Sequence, residues 1–249
     1  MIQQSVGFFV SFFADPSILG IGLAVVFGAI WLTTYRPPLF KKPWLWAVLP
    51  ASAIITLIAV AFIQIPLQPL LSHEIVLRRL LLAGVPALLL GGLVQEGAKL
   101  VPVVAWWWRK DKNIDPKLGV DIGAMAGVGF GIFEAQWVHN HIFASGWSWG
   151  IVQTTGPAAL AHFWESFWLV SFHTAASALA GYGLAKGWGW QFYLLAAFLH
   201  VVVGYGHVLV EAGLLAPVWA ELYIAGWAGL LTGIAHWLGE RESASTADE

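Results

Sequence analysis

Leu81–Trp108 reads LLAGVPALLLGGLVQEGAKLVPVVAWWW. A membrane span needs about 20 mostly apolar residues. This run exceeds that, carries only Glu96 and Lys99 as charges, and ends in three tryptophans. It reads as one span of a bilayer, with Pro86 dividing an interfacial lead-in from the span proper. Ionisable groups inside a span cost several kcal/mol (roughly 3 or more) unless paired or hydrated. Gln95, Glu96 and Lys99 therefore mark this span as more than an anchor.

The rest of the chain repeats the pattern. Of 249 residues, 59% are hydrophobic and 10% charged, where a soluble domain carries about a quarter charged. A soluble enzyme of the usual type and a disordered chain are excluded. Twelve Lys/Arg against 14 Asp/Glu leave a net charge of -2, so nucleic acid is excluded as a partner. The absence of Cys removes disulfides, thiolate metal sites and thiol nucleophiles. Further apolar runs, Ser17–Tyr35, Trp44–Leu67, Gly119–Val138, Ala159–Ala185, Trp190–Val210 and Pro217–Leu238, complete an all-α polytopic bundle of about seven spans, one membrane domain over 1–249. Met1–Phe13 lacks a basic n-region and a cleavage site, and Asp15-Pro16 breaks it from the first span. It is expected to be a short interfacial helix. Tryptophans cluster where apolar runs end, as in an aromatic belt.

Lysine and arginine orient the bundle. Arg36, Lys41, Lys42, Arg109, Lys110, Lys112, Lys117, Lys186 and Arg241 fall on one side, and only Arg78 and Arg79 on the other. Positive charge marks the cytoplasmic face, so the C-terminus is expected inside, with 240–249 as a flexible cytoplasmic tail.

Polar groups gather in four consecutive spans. Glu96 and Lys99 are i,i+3 and share a helix face, so they can pair. The next span carries Glu134, the one after it His162, Glu165 and His173, and the fourth His200 and His207. His162 and His173 lie within about 20° of each other around an ideal helix, with Glu165 beside them. His200 and His207 also share a face. Gly123, Gly127 and Gly131 form a smooth stripe that permits close helix approach, and Glu134 ends it. At about 1.5 Å per residue, Glu96, His173 and His200 come out near mid-membrane. Glu134, Glu165, His162 and His207 lie in the outer half. A polar cavity opening outward is the simplest arrangement.

With these residues in place, 92–210 resembles the PrsW-like intramembrane proteases, within the superfamily of CAAX prenyl proteases and bacteriocin-processing membrane peptidases (CPBP). The family's Glu-Glu pair followed by a basic residue is matched by Gln95-Glu96-Gly97-Ala98-Lys99. Its glycine-rich segment ending in Glu-Asn is matched by Gly127–Ala135 with Glu134. A His before a small-residue helix ending Gly-Tyr is matched by His173 through Gly181-Tyr182. A His closing an apolar run is matched by His200. The chain departs from the pattern at Gln95 for the first acid, Ala135 for Asn, Gly204 for Asn or Asp, and Glu165 where an Arg often stands.

The resemblance implies hydrolysis of a peptide bond in a membrane protein or peptide substrate, in a prokaryotic plasma membrane. Such chemistry needs a base for water and donors for the oxyanion. It implies Glu96 and Glu134 as base candidates and His173 and His200 as water- or oxyanion-orienting groups. Gln95, Lys99, Glu165, His162 and His207 would support them. No cofactor is expected. The donor set also suits zinc, through Glu134, His173 and His200, although no HExxH occurs. The alternative is a catalytically silent relative acting as a membrane binding or assembly subunit, with Gln95 as the mark of a lost base.

Overall fold

In the computed structural model, residues 2–71 and 77–245 are described. Among them every regular element is helical. The order is α1 (Ile2–Ser11), α2 (Ile18–Tyr35), α3 (Leu45–Ala59), a π-helical turn (Val60–Gln64), α4 (Ile65–Leu71), α5 (Leu77–Arg109), α6 (Pro116–Ala144), α7 (Trp149–Thr155), a 3₁₀ turn (Pro157–Leu160), α8 (Ala161–Ala185), α9 (Gly189–Glu211) and α10 (Pro217–Ser245).

Six described stretches are long and apolar enough to cross a membrane: Ile18–Tyr35, Leu45–Pro69, Gly84–Arg109, Pro116–Ala144, Gly189–Glu211 and Pro217–Ala244. This is an integral membrane protein. The sequence reading expects about seven; the difference is α8. That helix carries Ser166, Ser171, His173, Thr174 and Ser177, all buried, and these polar residues make it less apolar than the six.

The core is the antiparallel pair α6–α8. Gly119, Gly123 and Gly127 press on the backbone of Gly181, Ser177 and His173 in turn, and a Cβ on Gly131 would stand 3.0 Å from Val170 Cα. Side chains at the first three would collide with main chain, which cannot rotate away. The glycine stripe thus sets the α6–α8 distance and fixes where His173 stands opposite Glu134. Around this pair, α5 lies against α9 through Gly92, whose Cβ would meet Ala197 backbone. Ser52 on α3 donates to the Ala126 carbonyl at 2.7 Å, and Trp31 on α2 donates to the Phe167 carbonyl at 2.8 Å.

Helix ends are tied by polar side chains. Asn140 accepts from the Ser17 amide at 2.9 Å, and Ser17 caps α2 through the Gly20 amide. Asp115 caps α6 through the Leu118 amide. α5 runs through Pro86 without a break. α10 continues past Glu240 to Ser245, where a flexible tail was expected. Lys186 holds Glu242 at 2.9 Å; residues 246–249 lie outside the described residues.

Candidate functional site

Four long helices deliver one polar cluster to the middle of the bundle. α5 contributes Glu96 and Lys99, α6 Glu134, α8 His173 and α9 His200. Lys99 Nζ donates to Glu96 Oε1 at 2.7 Å, the i,i+3 contact that the spacing expects. Lys99 Nζ also lies 2.9 Å from His173 Nδ1. On the far side of that ring, His173 Nε2 is 2.8 Å from Glu134 Oε2. His200 Nδ1 is 3.0 Å from Glu96 Oε1. The result is one continuous chain, Glu134–His173–Lys99–Glu96–His200.

Hydrogen-bond direction follows from donor chemistry. An ammonium has no acceptor, so Lys99 donates to His173 Nδ1. The imidazole proton then sits on Nε2 and is given to Glu134 Oε2. Glu96 is a carboxylate held by Lys99, so His200 donates from Nδ1. That leaves His200 Nε2 and Glu134 Oε1 without a partner among the described residues.

Both residues border open space. A cavity of about 410 Å³ is lined by Gln95, Glu134, His173, His200, Gly204 and His207, among others. Its wall continues to Gln68, Gly84 and Glu211, at the end of the bundle opposite the Lys- and Arg-rich loops. Glu134 also lines an aromatic recess of about 210 Å³ with Phe8, Phe12 and Trp137, and a further one of about 240 Å³ with Glu165 and His207. Three recesses meet at one carboxylate. Compared with known proteins, the chain matches no family model, no curated protein and no solved structure.

The expected site residues separate into groups. Glu134, His173, His200 and Gln95 reach the cavity wall. Glu96 and Lys99 are fully buried and do not line it. Glu96 therefore stands behind His200, away from the cavity wall, where it is not placed to reach a water in the cavity. Gln95 reaches the wall beside Gln64, donating to Gln64 Oε1 at 3.1 Å, while its own Oε1 is buried without a partner among the described residues. Glu165 and His207 pair at 3.2 Å at the mouth. His162 stands apart, its side chain 71% exposed and 4.0 Å from Glu165.

The zinc set read from the sequence, Glu134, His173 and His200, is not what gathers. The donors within 4.8 Å of one another belong to Glu96, His173 and His200. Lys99 Nζ lies among them, so with the lysine in place this trio does not fit a divalent cation. Two wall residues escaped the sequence reading. Gln64, in the π turn, and Gln68, four residues on, line both the main cavity and the aromatic recess. Paired amides at i,i+4 in an otherwise apolar span were the signal that could have found them.

Proposed function

We propose that this protein is an intramembrane peptidase of the PrsW-like kind, in which Glu134 activates water against a peptide bond of a membrane-embedded substrate. The supporting observation is the hydrogen-bonded chain of five ionisable side chains ending on a cavity at Glu134 and His200. Burying so many charged groups costs several kcal/mol (roughly 3 or more), a cost more easily understood for a reactive site than for an anchor.

In this reading a water on Glu134 Oε1 gives its proton to the carboxylate as its oxygen attacks the carbonyl carbon. The same proton later passes to the leaving amine, so atoms and charge balance. His173 holds Glu134 through Oε2 and keeps Oε1 turned to the cavity. Gln95 and His200 lie on the same cavity wall, where the carbonyl oxygen becomes an oxyanion. Glu96 is a positioning residue, acting through His200. α8 counts as the seventh span, α1 lies in the interface, and the Lys- and Arg-rich loops and the C-terminus are cytoplasmic, which makes the cavity open outward.

The test compares cells carrying the parent protein with cells carrying Glu134→Gln, scoring new N-termini in membrane proteins by mass spectrometry. Cleavage products present with the parent and reduced at least about a hundredfold with Glu134→Gln are expected. Products that persist when Glu134 and Glu96 are both changed to Gln would sink the mechanism. One observation favours a second reading, a silent membrane binding subunit. Gln95 occupies the family's acid position and is bonded to Gln64. Parent and Glu134→Gln giving identical N-termini would favour it.

A further inference from the structure

Glu96, His173 and His200 come from three different helices, and one ligand atom of each lies within 4.8 Å of the others; Glu96 Oε1 is 3.9 Å from His173 Nδ1 and 3.0 Å from His200 Nδ1. Two imidazole nitrogens and a carboxylate converging in this way are the donor set of a transition-metal site. Yet the space they surround is taken. Lys99 Nζ is 2.7 Å from the carboxylate oxygen and 2.9 Å from the imidazole nitrogen. The ring centroid of Phe130 lies 5.6 Å from Lys99 Nζ, in reach of a cation–π contact. Lys99 is wholly buried, one turn from Glu96 on α5.

We propose that the Lys99 ammonium is a tethered cation standing where a divalent metal would otherwise bind, so that the native protein refuses zinc at this trio and loss of the amine opens a zinc site. A zinc ion would sit about 2.0–2.2 Å from such donors. The ammonium, at hydrogen-bonding distance from two of them, overlaps that position and repels a second cation. The substitution also keeps a service that a metal would perform. A ligated imidazole is fixed in one tautomer and turned toward its outer partner. Lys99 does the same to His173, placing the proton on Nε2 toward Glu134. This inference stands whether or not the cavity hydrolyses peptides.

The experiment is zinc binding by the full-length protein in detergent, not activity. The parent, His200→Ala, Lys99→Met, Lys99→Ala and Lys99→Ala with His200→Ala are dialysed against zinc chloride and then against buffer. Bound metal is counted, and melting is followed with and without zinc. The parent is expected to hold no zinc that depends on His200 and to melt at the same temperature in zinc and in chelator. Folded Lys99→Ala is expected to hold about one zinc per chain and to melt higher with it, since binding to the native state alone stabilises that state. The added His200→Ala should remove both effects, which separates this site from surface histidines such as His162. Two results overturn the proposal: one zinc per parent chain that disappears with His200→Ala, or a folded Lys99 variant that takes up none. Should neither Lys99 variant fold, the parent compared with His200→Ala still decides: His200-dependent zinc refutes, refusal supports.

Discussion

Gly127→Ala is the most direct probe of how the α6–α8 contact governs both stability and the site. An added Cβ would lie 2.6 Å from His173 carbonyl carbon and 2.7 Å from Thr174 Cα. Carbon–carbon contacts settle near 3.5–4.0 Å, so the helices must part by roughly 1 Å. Main chain supplies both opposing atoms and no rotamer change relieves them. Overpacking of this kind costs about 1–3 kcal/mol, and the rigid neighbour places Gly127→Ala at the upper end. For a chain of this length, 1 kcal/mol moves the melting temperature by about 2–4 °C, giving an expected fall of about 4–12 °C. Melting followed by the fluorescence of the 16 tryptophans in detergent would measure it. Gly131→Ala, with its nearest neighbour at 3.0 Å, should fall less; Gly22→Ala, with nothing within 4 Å, should hold or rise by up to about 1 kcal/mol. If Gly127→Ala melts with the parent while Gly22→Ala does no better, the close approach of α6 and α8 is wrong, and so is the placement of His173.

Gln95→Glu puts a carboxylate where an amide now bonds Gln64; it should lower the melting temperature, and a gain of cleavage that the parent lacks would show that the amide had silenced the site. His162→Ala should leave stability within about 0.5 kcal/mol and any cleavage unchanged, and a loss of cleavage in that variant would place His162 at the site after all. A reporter fused after Glu249 should be active in the form that reads the cytoplasm; activity only outside would reverse the orientation drawn from the charged loops.

Composition and hydrophobic run length were enough to place the helices, because lipid permits few alternatives to a span. The Glu96–Lys99 contact was equally legible, since i,i+3 neighbours meet without help from tertiary structure. α8 was harder to class: its buried serines, threonine and histidine lower its hydropathy, whereas α6, as deeply buried, meets it with glycine and alanine. What lay beyond local spacing was the order of contacts across helices. Nothing in the sequence alone distinguishes Glu134 at the cavity from Glu96 behind it, because that depends on the rotation of α5 against α9. The same rotation puts Lys99 between His173 and Glu96. Asp121, buried and held by Lys117, and His139, bonded to the Gly20 carbonyl at 3.2 Å, show the opposite case. His139 ties α6 to α2, whereas Asp121 holds Lys117 within α6, and Lys117 in turn donates to the Tyr35 carbonyl at the end of α2.

The π turn at Val60–Gln64 makes the span tolerant of a lost residue at one place and intolerant of it at the next. A π turn holds one more residue than the helix around it needs, and it absorbs that residue within its own width. Excising one residue from this turn would restore a regular helix and leave Gln68 on its present face. The same excision in the regular helix that follows, between Ile65 and Leu67, has no slack to draw on and would turn Gln68 by about 100°, off the wall it shares with Glu134. Two deletions a few codons apart would thus differ in whether the cavity keeps its amide.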